Sequence, residues 1–312
     1  MGREMRRRAP ACKQWRVGAR CANPAPIQKG VGVARVSISA VWDRTTEFLG
    51  ERSGAVLAIA GPAIAGCLFA QQLTQKLLEE QPVANSVVSI LLQLPLLWAQ
   101  LQVMALAIDP SVTPAEAVQR ASNRMPATLL LWLVLLAVVA AAMIPAGVLL
   151  AASGVPIERV AALGPNADPQ AVAALIPQGA VPFLLATLFY LGVVAIALLV
   201  LFLRWTLIYV VGLVEALALP ALRRSWRLTR RMTLPLLGVS LLYGLVTLVA
   251  TLAAQTVVGA VLALIFGRSD GFGIAAIGAA LATACVAAAM TVIAASFIAK
   301  FYLAARRAED LG

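Results

Sequence analysis

The stretch ALRRSWRLTRRM, residues 221–232, places five arginines within nine residues of a chain otherwise rich in Ala, Leu and Val. Three readings compete: a nucleic-acid patch, a catalytic cluster, or the wet end of something buried in lipid. The flanks decide. Pro169–Leu203 before it and Met232–Gly267 after it hold no charged residue. An uncharged apolar run of 18 or more residues reads as a transmembrane helix. The arginines therefore sit between two membrane segments.

Four further runs of the same kind occur: Ser53–Gln75, Gln81–Ile108, Met125–Ile157 and Gly271–Ala299. The six account for most of the 312 residues. Composition agrees, with 61% hydrophobic and 12% charged residues and a mean hydropathy of +0.89. A soluble domain carries about 25% charged residues. The expected fold is all-α: a polytopic membrane protein with six transmembrane helices and short amphipathic cytoplasmic helices. It divides into residues 1–32, a six-helix membrane domain at 33–305, and a short cytoplasmic tail at 306–312.

Charge placement sets the topology. Cytoplasmic loops are enriched in Lys and Arg. With six spans and the N-terminus inside, the segments 1–52, 109–124, 204–231 and 300–312 carry 11, 2, 6 and 3 basic residues. The outside loops hold only Lys76, Arg159 and Arg268. Both termini are expected in the cytoplasm. Trp205–Leu219 is also apolar, but it is short for a span and carries Glu215. It is expected to continue a long tilted fourth helix or to lie in the interface, with the Arg204 head reaching toward water.

Residues 1–32 are rich in arginine and lack the apolar core of a secretory signal. Two expectations stand for them: a disordered basic extension touching anionic lipid, or translation that begins at Val31 or Val33.

Several local signals refine the picture. Ser37–Leu49 reads as an amphipathic helix, and Gly61-Pro62 as a kink within the first span. Thr113, Pro114 and Glu116 form a helix-start signal, predicting a short cytoplasmic helix before span three. Asn166 or Asp168 is expected to cap another short helix in the longest outer loop. Ser240, Gly244, Thr247, Thr251, Gln255 and Gly259 share one face of span five, and span six is dense in small residues. Both patterns favour close helix packing.

Catalytic chemistry finds little support. The chain has no histidine, which removes the commonest general base and a frequent metal ligand. Cys12, Cys21, Cys67 and Cys285 form no C-x-x-C pair, so neither a zinc site nor a disulfide framework is expected. Cys67 and Cys285 are expected to pack as small hydrophobes. Ser89 and Ser240 have no histidine, lysine or paired aspartate in a span to activate them. No catalytic residue, metal or cofactor is expected.

Two binding surfaces remain. Arg223, Arg227, Arg230 and Arg231 follow an i, i+4, i+7, i+8 pattern bordered by Arg224. Ala221, Ser225, Leu228 and Met232 lie opposite, with Trp226 beside them. Such a helix suits the inner headgroup region, its arginines meeting anionic lipid and Trp226 anchoring it. A cytoplasmic protein partner is the other occupant; nucleic acid is not expected. The second surface is a polar stripe on span two, Asn85, Ser89, Gln93 and Gln100. It reads either as interhelical hydrogen bonding or as the lining of a polar path, with Arg204 and Glu215 near its inner mouth.

The segment RWTLIYVVGLVEALALPALRRSWRLTRRMTLPLLGVSLL resembles bacterial six-span proteins like the membrane domain of glycerophosphoryl diester phosphodiesterases. Arg204, Glu215, Ser225, Trp226, Leu228 and Thr229 carry the resemblance. The VTPAEAVQRA and SISAVWDRT segments follow the same layout, so it covers about residues 33–305. In that group's fusions a separate barrel performs the hydrolysis with histidines, carboxylates and a divalent metal. This chain has no histidine, so the resemblance implies the membrane fold and not the activity. The expected function is non-enzymatic: organising lipid or a partner protein through basic cytoplasmic helices. The alternative is a transporter or channel component for a small solute or lipid.

Overall fold

The computed structural model describes residues 36–79, 81–162, 168–215, 220–229, 232–267 and 273–310. Among them every regular element is a helix. Residues 1–32, Arg230, Arg231 and Asn166 lie outside the described residues.

Helix α1 (Ile38–Ile59) opens on Ser37, whose side chain accepts the Ala40 amide. It does not stop at Leu49 as the amphipathic pattern suggests. Val41, Thr45, Phe48 and Val56 keep one face buried well past that point. The break comes at Gly61-Pro62, as expected. There α2 (Gly61–Leu77) departs at 60°, because Pro62 has no N–H to continue the ladder.

Helix α3 (Pro82–Ile108) leads to α4 (Pro114–Ala152). The start of α4 is a full capping box. The Thr113 hydroxyl accepts the Glu116 amide at 3.4 Å, and the Glu116 carboxylate accepts the Thr113 amide at 2.9 Å. The short cytoplasmic helix expected here is not separate. It is the first three turns of a continuous 39-residue helix, about 58 Å long. A helix satisfies its backbone internally in water and in lipid alike, so the change from polar to apolar sequence does not interrupt it.

Two six-residue helices follow, α5 (Ile157–Ala162) and α6 (Pro169–Ala174). Asp168 caps the second by accepting the Gln170 amide at 3.0 Å. Helix α7 (Val181–Trp205) therefore begins later than the uncharged run Pro169–Leu203 and ends two residues beyond it. After a break at Thr206–Leu207 come α8 (Ile208–Glu215), α9 (Pro220–Thr229), α10 (Thr233–Phe266) and α11 (Ile274–Asp310).

Five helical segments are long and apolar enough to cross a membrane: α3, α4, Gln178–Val214, α10 and α11. The bent pair α1–α2 passes the same test only as a unit, which would make six. Gln178–Val214 includes both α7 and α8, so Trp205–Val214 extends the same apolar segment. The packing is that of a lipid-embedded chain. Leu234, Leu264 and Phe189 are at least 75% exposed, and α10 buries only Leu236. Helices apolar on all sides and this exposed belong in hydrocarbon. Cys285 is likewise exposed and not packed as expected, while Cys67 is half-buried against the core.

Small residues do bring α10 and α11 together at Gly259 and Gly278, while Gly244 and Gln255 of the expected face are exposed. A Cβ on Gly278 would overlap Leu262, and one on Gly259 would stand 3.4 Å from the Ala279 methyl. The densest core lies elsewhere, where α1, α3, α8, α9 and the C-terminal half of α11 meet. Val103, Leu106, Leu207, Ile208, Phe301 and Tyr302 are all essentially fully buried there.

Candidate functional site

The arginine-rich helix α9 is mounted on this core by its small-residue face. Ala221, Ser225 and Thr229 recur at i, i+4, i+8 and are each fully buried. Their target is the end of α7. A helix leaves its last carbonyls without partners, and α7 breaks just after Trp205. The Arg204 carbonyl there accepts the Ser225 hydroxyl at 2.8 Å and the Thr229 hydroxyl at 3.0 Å. Thr229 shares its proton with the Ser225 carbonyl at 2.9 Å.

The Arg204 side chain adds a second contact. Its guanidinium lies over the Trp226 ring, 4.7 Å from the centroid, a cation–π arrangement. Its Nε is buried without a hydrogen-bond partner. The head thus covers Trp226 instead of simply reaching toward water. Arg204, Ser225, Trp226 and Thr229 form one joint between α7 and α9. Leu228 is half-buried against the core. Glu215 ends α8, and its side chain falls outside the described residues.

The other face of α9 carries the charge. Arg223 and Arg227 are exposed, Arg224 is half-buried, and Trp226 is 42% exposed. A partner unforeseen from sequence is Glu309 on α11. One of its carboxylate oxygens meets Arg224 at 2.7 Å and Arg227 at 3.0 Å. Part-exposed pairs of this kind contribute little to stability. Their effect is to set the position of the basic face beside the end of α11.

The same end of the bundle gathers other tethers. Arg52 of α1 donates to the Pro110 and Val112 carbonyls between α3 and α4. Lys300 lies over the Phe48 ring at 4.9 Å. Asp109 accepts the Ser111 hydroxyl at 2.6 Å and the Ser111 amide at 3.0 Å, and pairs with Arg120 at 3.5 Å. These bonds to Ser111, with Arg120 as a lesser cause, hold its carboxyl below the usual value.

The polar stripe of α3 divides. Gln93 and Gln100 line a cleft of about 100 Å³ together with Leu97, Trp132 of α4 and Tyr209 of α8. Asn85 and Ser89 are half-buried outside it, with the Asn85 amide oxygen buried and unpaired. Arg204 is not among the residues lining the cleft. Sequence reading missed Trp132 and Tyr209, which come from distant helices and carry no local signal. Among the described residues no group of three or more His, Cys, Asp or Glu side chains could hold a metal.

Compared with models of known protein families, with curated proteins and with solved structures, the chain matches none.

Proposed function

We propose that this chain is a non-enzymatic protein of the bacterial inner membrane, with six spans and both termini cytoplasmic. In this reading α9 is a fixed docking helix for anionic lipid headgroups, and through it the protein organises lipid around itself. One observation carries the reading: α9 is bolted to the core through Ala221, Ser225 and Thr229, while Arg223, Arg227 and the Trp226 edge face outward. A basic helix with an interfacial tryptophan is suited to the headgroup layer. Each arginine near an anionic surface contributes about 1 kcal/mol. The distribution of Lys and Arg across the loops supports placing this helix in the cytoplasmic leaflet.

The test is lipid selection. The full chain is reconstituted in discs of phosphatidylcholine with a minor share of phosphatidylglycerol, then released gently and weighed with its retained lipids. The wild type is expected to retain phosphatidylglycerol above its share in the disc. Arg223→Gln with Arg227→Gln should bring retention down to that share. Equal retention by both proteins would remove the lipid-docking role. A stoichiometric protein partner recovered from native membranes would make α9 a partner surface instead.

A further inference from the structure

The cleft between α3, α4 and α8 is independent of α9 and has a chemistry of its own. Gln93 and Gln100 are two turns apart, so they project from the same side of α3, about 10 Å apart along its axis. Leu97, 7% exposed, lies between them. Trp132 and Tyr209 complete the lining from the neighbouring helices. The Trp98 indole, which donates to the Ser122 hydroxyl at 3.1 Å, ties α3 to α4 nearby.

Four of the five lining side chains carry hydrogen-bonding groups. Among the described residues, Gln93, Gln100, Trp132 and Tyr209 make no side-chain hydrogen bond to one another or to any neighbour. All four belong to helical segments apolar enough to cross a membrane. In hydrocarbon, polar groups without partners are costly and are retained at pathways and binding sites. Interhelical hydrogen bonding, the ordinary explanation for a polar stripe, does not account for this pair of glutamines. They face a space instead.

The lining also indicates what fits. It contains no Lys, Arg, Asp or Glu, so nothing there would compensate a charge. The two carboxamides donate and accept, the phenol donates and accepts, and the indole donates. The volume is below the roughly 150 Å³ that accommodates benzene in an engineered cavity. We infer that the cleft of Gln93, Gln100, Trp132 and Tyr209 binds a small uncharged hydroxyl-bearing group of a few heavy atoms. The group could come from a free polyol or from the glycerol headgroup of a lipid.

Glycerol is the probe. The full chain is placed in discs of phosphatidylcholine alone, and tryptophan emission is followed during titration. Subtracting the same titration of Trp132→Phe isolates Trp132. The expected result is a saturable change that glycine betaine at equal osmolality does not produce. Gln93→Met and Gln100→Met, made singly, should each raise the half-saturating concentration about tenfold. Leu97→Phe keeps every polar group and fills the space between the glutamines, so it should abolish the change even if a glutamine variant fails to fold. If phosphatidylglycerol discs show the shifted emission before glycerol is added, the lipid headgroup is the natural source. A linear response to glycerol, or a response unchanged in Leu97→Phe, would overturn the inference and leave a cleft filled by water.

Discussion

At the scale of single residues, Asp109 shows how a short loop can be organised by one carboxylate. It ends α3, gathers the Ser111 hydroxyl and amide, and reaches Arg120 on the next helix. Four residues on, the Thr113–Glu116 box starts α4. The loop is thus held at both ends by side-chain bonds to backbone, which matter because a loop has no helical partners for its amides. The Asp109 carboxyl titrates below its ordinary value in the fold. Its ionised form therefore stabilises the native state fully above about pH 4, the unfolded carboxylate value. That contribution disappears as pH falls through the lower folded value. The stability difference between the wild type and Asp109→Asn in detergent is expected to be full at pH 6 and to shrink progressively as pH falls below about 4. A difference that stays constant across this range would show that ionisation of Asp109 plays no part.

At the scale of elements, the joint between α7 and α9 is the feature most open to mutation. Removing both hydroxyls, by Ser225→Ala with Thr229→Val, leaves the Arg204 carbonyl without either donor. An unsatisfied buried acceptor costs about 1–3 kcal/mol. The double variant should melt at lower temperature and expose α9 to trypsin at Arg223 and Arg227, while Thr229→Ser, which keeps a hydroxyl, should stay close to the wild type. Unchanged melting and proteolysis in the double variant would mean that α9 is held by Arg224, Arg227 and Glu309 instead. Much at this scale was legible in the sequence. The Gly61-Pro62 break, the Thr113 start, the Asp168 cap and the two faces of α9 follow from local rules about caps, proline and helical period. The continuity of α4 was not legible, because hydropathy reports the solvent and not the helix. Nor was the role of Ser225 and Thr229, whose shared acceptor lies more than twenty residues away. Glu309 and the Trp132–Tyr209 side of the cleft escaped for the same reason: they are brought in by tertiary packing.

At the scale of the whole molecule, the question is which way the bundle faces. The densely packed end unites the start of α1, the α3–α4 loop, α9 and the C-terminal turns of α11. These are the segments rich in Lys and Arg, whereas among the described residues the stretch from the last turn of α2 to α3 and that between α4 and α7 hold only Lys76 and Arg159. One end of the fold therefore gathers most of the basic charge of the described residues, and in the proposed orientation, which follows the positive-inside bias, that end is cytoplasmic. The bent α1–α2 pair decides on which side α1 begins. If it crosses the membrane, α1 starts on the same side as α9 and the end of α11. If it turns back within one leaflet, the described chain has five crossings and α1 begins on the wrong side for its contacts with the α3–α4 loop and with α11. Trp42, near the start of α1, lies 6.3 Å from Phe297 of α11 between ring centroids, and Arg52, in the second half of α1, donates to the Pro110 and Val112 carbonyls, so α1 packs against α11 and the α3–α4 loop. Single cysteines test this in a background with all four native cysteines changed to alanine. In intact spheroplasts an impermeant maleimide is expected to label Glu158→Cys and Gln178→Cys, both at exposed positions. Ser39→Cys, Ser111→Cys and Asp310→Cys should react only after lysis. Labelling of Ser111→Cys from outside would invert the bundle and put α9 in the wrong leaflet for the proposed docking role. Labelling of Ser39→Cys from outside, with Ser111→Cys protected, would contradict the packing of α1 against the α3–α4 loop.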